Sequence, residues 1–145
     1  MDPVATADCL KITREVDFDN MLTCPLPFQA DSVKTARDVT RSTLADWGFD
    51  ELRDDAALVV SELVTNAVRY TRSDPGLTLL LMMSAPHVLL AVTDCSDEAP
   101  TPKEPDFCSE NGRGLYIVET YSQRWGWDSL TGGGKAVWAL FHAGD

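Results

Sequence analysis

Residues 61–70 read SELVTNAVRY, and their spacing decides what this part of the chain builds. Followed back to Leu52, the apolar residues Leu52, Ala56, Leu58, Val59, Leu63, Val64, Ala67 and Val68 fall on one broad face at a period near 3.6, which predicts a helix. It begins near Asp50 to Asp54 and runs to about Thr71, where Ser73-Asp74-Pro75-Gly76 ends it. Glu62 and Asn66 stand at i and i+4, so a carboxylate and an amide oxygen share one helix face and can address the same hydrated divalent cation.

Upstream, SVKTARDVTRSTLADWG (32–48) repeats Val33, Ala36, Arg37, Val39, Thr40, Thr43, Leu44 and Trp47 at near-helical spacing. Ser32 is the expected N-cap and Gly48 the stop. Before it, CLKITREV (9–16) and MLTCPLPF (21–28) alternate around the turn-like DFDN, which predicts an N-terminal hairpin, with Pro25 and Pro27 favouring an edge. Downstream, LTLLLMMS (77–84) and HVLLAVTD (87–94) are strands joined through Ala85-Pro86, and their near-continuous apolar character predicts a buried central hairpin. Asp94 therefore ends a strand. Residues 97–110, DEAPTPKEPDFCSE, have no helix or strand period and form a loop. GLYIVETYSQRW (114–125) supplies a third helix, and GWDSLTGGGKAVWALF (126–141) a terminal hairpin bent at Gly132-Gly133-Gly134. The fold class expected is α+β: a two-layer sandwich in which a mixed, largely antiparallel sheet is covered on one face by about three helices.

The chain has 145 residues, near the usual size of one domain, so residues 1–145 are expected to form a single unit. Its 44% hydrophobic and 24% charged residues are those of a folded globular protein. No apolar stretch approaches the roughly 20 residues of a membrane span, and the start lacks a basic-then-apolar signal pattern, so a cytoplasmic location without membrane contact is expected. A net charge of −11 disfavours direct binding of nucleic acid and leaves a protein partner with a basic face easier to accommodate. Cys9, Cys24, Cys95 and Cys108 lie without a C-x-x-C pair or a neighbouring histidine, which argues for reduced thiols rather than a zinc site.

Each candidate position has a plainer reading when taken alone. Glu62 and Asn66 can be a solvated helix face, Asp94 a strand-ending turn residue, and Gly112-Arg113-Gly114 an ordinary turn. Order and spacing in combination favour a shared site, in which Gly112 and Gly114 let backbone N–H groups and the positive end of the third helix meet phosphate oxygens.

Through SVKTARDVTRSTLADWG, LVVSELVTNAVRY, AVTDCSDEAP, GRGLYIVETYSQRWGW and GGGKAVWALF, nearly the whole chain beyond its first 20 residues resembles the small ATP-binding regulators related to anti-sigma-factor serine kinases, in the gyrase/histidine-kinase (Bergerat) ATPase superfamily. The resemblance implies ATP and Mg2+ as cofactors and a Bergerat ATP-binding fold with an ATP lid at 95–111; residues 1–20 are an N-terminal extension or first strand. It implies Glu62 as the general base, Asn66 as the magnesium ligand, Asp94 as acceptor of the adenine amine hydrogen, and Arg69 as a positive charge toward phosphate. Gly112, Arg113 and Gly114 shape the phosphate-facing loop, and Ser96, Leu115 and Lys135 line the nucleotide. Two departures stand out: Cys95-Ser96-Asp97-Glu98 replaces a glycine-containing turn, and Lys135-Ala136 stands where kinase relatives often carry threonines. The implied activity is protein-serine kinase, acting on a serine of a STAS-domain anti-anti-sigma factor, with a sigma factor as competing partner and a homodimer left open. The alternative is a module that sequesters a protein, with or without nucleotide and without kinase activity. A histidine-kinase catalytic half needs a phosphoacceptor histidine on a dimerising helix pair, for which this chain has no room.

Overall fold

The computed structural model describes residues 12, 18–27, 29–70, 76–94, 111–130 and 134–144, with the backbone alone at 69–70 and 111–115. Helix α1 spans Ser32–Asp46 and buries Ala36, Thr40, Thr43 and Leu44. Its end is a Schellman turn: Gly48 takes a φ of +84°, its N–H reaches the Ala45 carbonyl at 3.1 Å, and the Phe49 N–H reaches the Leu44 carbonyl at 2.7 Å. Ser32 is the first helical residue and not the N-cap expected, because its hydroxyl donates to the Pro27 carbonyl at 2.6 Å; Asp31 takes the cap position. A 3-10 turn at Asp50–Leu52 leads into α2, Arg53–Tyr70, whose first-turn Asp54 and Asp55 complement the positive helix end. Leu58 departs from the expected apolar face and is 37% exposed. Two residues from both Ala56 and Val60, it is rotated about 200° from each, and Val60 takes its place in the core.

The sheet strands are β1 (Asn20–Leu26), β2 (Leu77–Ser84), β3 (His87–Asp94), β4 (Arg124–Ser129) and β5 (Lys135–His142), with helix α3 (Asn111–Tyr121) preceding β4. Their order is β1-β2-β3-β5-β4, and all four pairings among the described strands are antiparallel, so the largely antiparallel expectation holds without a mixed component there. Among the described strands β1 lies at an edge, as its Pro25 favours. The partner arm of the expected N-terminal hairpin falls, apart from Ile12, outside the described residues.

Side chains alternate between the sheet faces. Leu79, Leu81, Leu90, Val92, Val137 and Ala139 meet Val59, Val60, Leu63, Val64 and Ala67 of α2 in the larger core. The opposite face is buried as well: Leu80, Met82, Leu89, Ala91, Trp138 and Leu140 form a second cluster with Ile12, which is 1% exposed. Burial on both sides accounts for the near-continuous apolar strands. Among the described residues no helix is long and apolar enough to cross a membrane.

On that second face Trp138 is held by its indole N–H, which donates to Asp128 Oδ2 at 3.1 Å, and lies opposite Gly126. A Cβ at Gly126 would stand 2.7 Å from the Trp138 ring. The ring is rigid and pinned, so Gly126→Ala is expected to cost about 1–3 kcal/mol through overpacking, read as a lowered thermal midpoint. An unchanged midpoint would show that the ring gives way freely.

Candidate functional site

The two ends of the molecule are told apart by what gathers at one of them. A cavity of about 360 Å³ is lined by Leu52 of the 3-10 turn, Asp55 at the start of α2, Tyr121 at the end of α3, Ser122, Gln123, Phe141 and His142 at the end of β5, and Gly144 just beyond it. His87, which opens β3, faces His142 there, with ring centroids 5.0 Å apart. From that end α2 advances about 27 Å and β3 about 26 Å along their lengths. The last part of α2, the end of β3, the beginning of β5 and the first turn of α3 are thus carried toward the other end. Asn66, Asp94, Lys135 and Gly112 belong to those four segments.

Glu62 and Asn66 are half-buried on α2, one turn apart, beside Leu63, Val64 and Ala67, which pack against the sheet. The packing fixes the rotation of the helix and so presents the carboxylate and amide on a common side. Asp94 closes β3. Val88, Leu90 and Val92 precede it at two-residue spacing on the helix-covered face, and Lys135 is followed on the same face by Val137, Ala139 and Phe141. Asp94 and Lys135 are also register partners across the β3–β5 ladder. Their side chains meet: Lys135 Nζ donates to Asp94 Oδ1 at 3.0 Å, with 8% and 2% of the two side chains exposed.

That buried ion pair is the contact the sequence reading missed. Asp94 was expected to read a base and Lys135 to line nucleotide, with no indication that they touch; the partners are 41 residues apart and come together only through the β3–β5 pairing. The backbone of Gly112, Arg113 and Gly114 lies within the first turn of α3, which begins at Asn111, rather than in a loop before the helix. The helix thus starts three residues ahead of the pattern read from Gly114. The side chains of Arg69, Arg113 and Leu115, together with Ser96 and the rest of the expected lid at 95–110, lie outside the described residues.

Among the described residues no cluster of three or more histidine, cysteine, aspartate or glutamate side chains is assembled for a metal. Magnesium keeps several waters and binds through one or two protein oxygens plus substrate phosphates, so the half-buried Asn66 amide fits its needs. Asn66→Ala is expected to remove the magnesium dependence of ATP affinity, measured by calorimetric titration with and without the metal. A dependence equal to that of the wild type would remove Asn66 from the role.

Among the described residues, a five-stranded antiparallel sheet with helices on one face, a carboxylate and an amide one turn apart on the central helix, and a carboxylate closing a central strand are consistent with the Bergerat fold. Residues 26–141 match the family model of the histidine kinase-like ATPase domain. The chain belongs to that family. No curated protein matches the chain closely enough to indicate a nearer relative.

Proposed function

We propose that this protein is an ATP-dependent protein-serine kinase that acts as an anti-sigma switch, phosphorylating a serine of a STAS-domain anti-anti-sigma factor and releasing or capturing a sigma factor accordingly. The observation that carries the reading is the placement of Glu62 and Asn66 one turn apart and half-buried on α2, in a chain of the histidine kinase-like ATPase family. Glu62 accepts the proton of the attacking serine hydroxyl; the serine oxygen bonds to the γ-phosphorus, the bond to the β–γ bridging oxygen breaks, and ADP leaves. Asn66 holds a magnesium ion, which when bound neutralises phosphate charge. Asp94 accepts a hydrogen from the adenine amine, and the first turn of α3 directs backbone N–H groups at phosphate oxygens. For such a transfer the protein chiefly positions groups, a task within reach of a small domain.

Incubation with Mg-ATP and a cognate STAS protein is expected to yield phosphoserine on that partner. Absence of transfer to a partner shown to bind would remove the kinase reading. The Asp94–Lys135 ion pair supports a second one, in which the protein sequesters its partner without using nucleotide, because the base-reading carboxylate already holds a cation. In that case partner binding is unaffected by ATP and by Glu62→Ala.

A further inference from the structure

An ammonium carries three N–H donors. Among the described residues the Lys135 ammonium donates to a single acceptor, Asp94 Oδ1 at 3.0 Å, although its side chain is only 8% exposed. Buried donors are ordinarily matched, so a buried cation with donors to spare is complementary to a ligand that brings acceptors. Strand alternation puts Lys135 and Asp94 on the helix-covered face, at the end of the sheet toward which Asn66 is carried. Their own hydrogen bond, 3.0 Å from Nζ to Oδ1, sets the ammonium and the carboxylate side by side.

The edge of adenine carries the opposite pattern, a donating 6-amine next to the accepting ring nitrogen N1. Resting on the reading of Asp94 as a base-binding residue, we infer that Lys135 is a second base-reading residue, donating to N1 while Asp94 accepts a hydrogen from the amine. A carboxylate offers about four lone-pair sites, so Asp94 accepts from the amine alongside the lysine and the further interaction it already holds. Guanine seated the same way sets its 6-carbonyl against the carboxylate and its N1–H against the ammonium, which makes two mismatches. Lys135 thus does more than tie β5 to β3: it supplies half of the base specificity.

The test is calorimetric titration of the full chain with the magnesium complexes of ATP, GTP and 1-deaza-ATP, which keeps the amine and has C–H in place of N1. Wild type is expected to bind 1-deaza-ATP about 10- to 100-fold more weakly than ATP, the range for a hydrogen bond to a charged group. In Lys135→Met the two nucleotides are expected to bind within about twofold of each other, since the donor that distinguishes them is gone. Equal binding of ATP and 1-deaza-ATP by wild type overturns the role of Lys135 while leaving ATP binding at Asp94 intact, whereas GTP binding as tight as ATP overturns base reading by both residues. No uptake of ATP defeats the base-binding reading itself. Should Lys135→Met fail to fold, the wild-type comparison of the two adenine nucleotides decides alone.

Discussion

Glu62→Ala is expected to lower phosphoryl transfer to a STAS serine by about 100- to 10,000-fold, the usual contribution of a positioned general base. The size of the loss follows from what the rest of the site can supply. Asn66, Asp94 and the α3 backbone position nucleotide, and none of them accepts the serine proton in this scheme. Glu62 lies on a helix whose rotation is fixed by Leu63, Val64 and Ala67, so truncating its half-buried side chain leaves the packed face untouched. ATP affinity is therefore expected to stay near its wild-type value while phosphoserine formation collapses. A Glu62→Ala protein that still transfers phosphate at the wild-type rate would show that the base lies elsewhere.

Asp94→Ala is expected to destabilise the fold by about 3–5 kcal/mol, because it strands the Lys135 ammonium in a buried position without its counter-charge. That is a large share of the roughly 5–15 kcal/mol that holds a typical domain together. The double variant Asp94→Ala/Lys135→Met separates loss of the pair from loss of balance. Replacing both charges by apolar groups is often close to neutral for stability, so the double variant is expected to recover the part of the midpoint lost to the stranded ammonium, but not the part due to the further interaction that Asp94 holds. It does not recover adenine preference, since neither base-reading group remains. Equal destabilisation by the single and double variants would mean that the ion pair itself, rather than the stranded charge, is what the fold depends on.

Elements with a local signature were legible in the sequence. Both hairpin strands at 77–84 and 87–94 agree with the observed Leu77–Ser84 and His87–Asp94, and the long helix begins and ends within a few residues of its reading, because each is bounded by its own breakers. What escaped was set by neighbours distant in sequence. Ser32 gave up the cap position to bond Pro27, and the burial of the second sheet face, with Ile12 in it, has no local pattern that separates it from a fully apolar strand. The site divides the same way. That Glu62 and Asn66 share a helix face was readable because helical spacing alone places them together, whereas the meeting of Asp94 with Lys135 depends on a ladder that brings β5 beside β3 after α3 and β4 intervene.

Backbone amide shifts of the isotopically labelled chain, recorded as Mg-ATP is added, test most directly whether Asn66, Asp94, Lys135 and the first turn of α3 border one nucleotide site. Saturating perturbations are expected at Glu62, Asn66, Asp94, Lys135 and Gly112, with Gln123, His142 and Gly144 at the opposite cavity unmoved. Perturbations centred on that cavity, or none at any ATP concentration, would contradict the account.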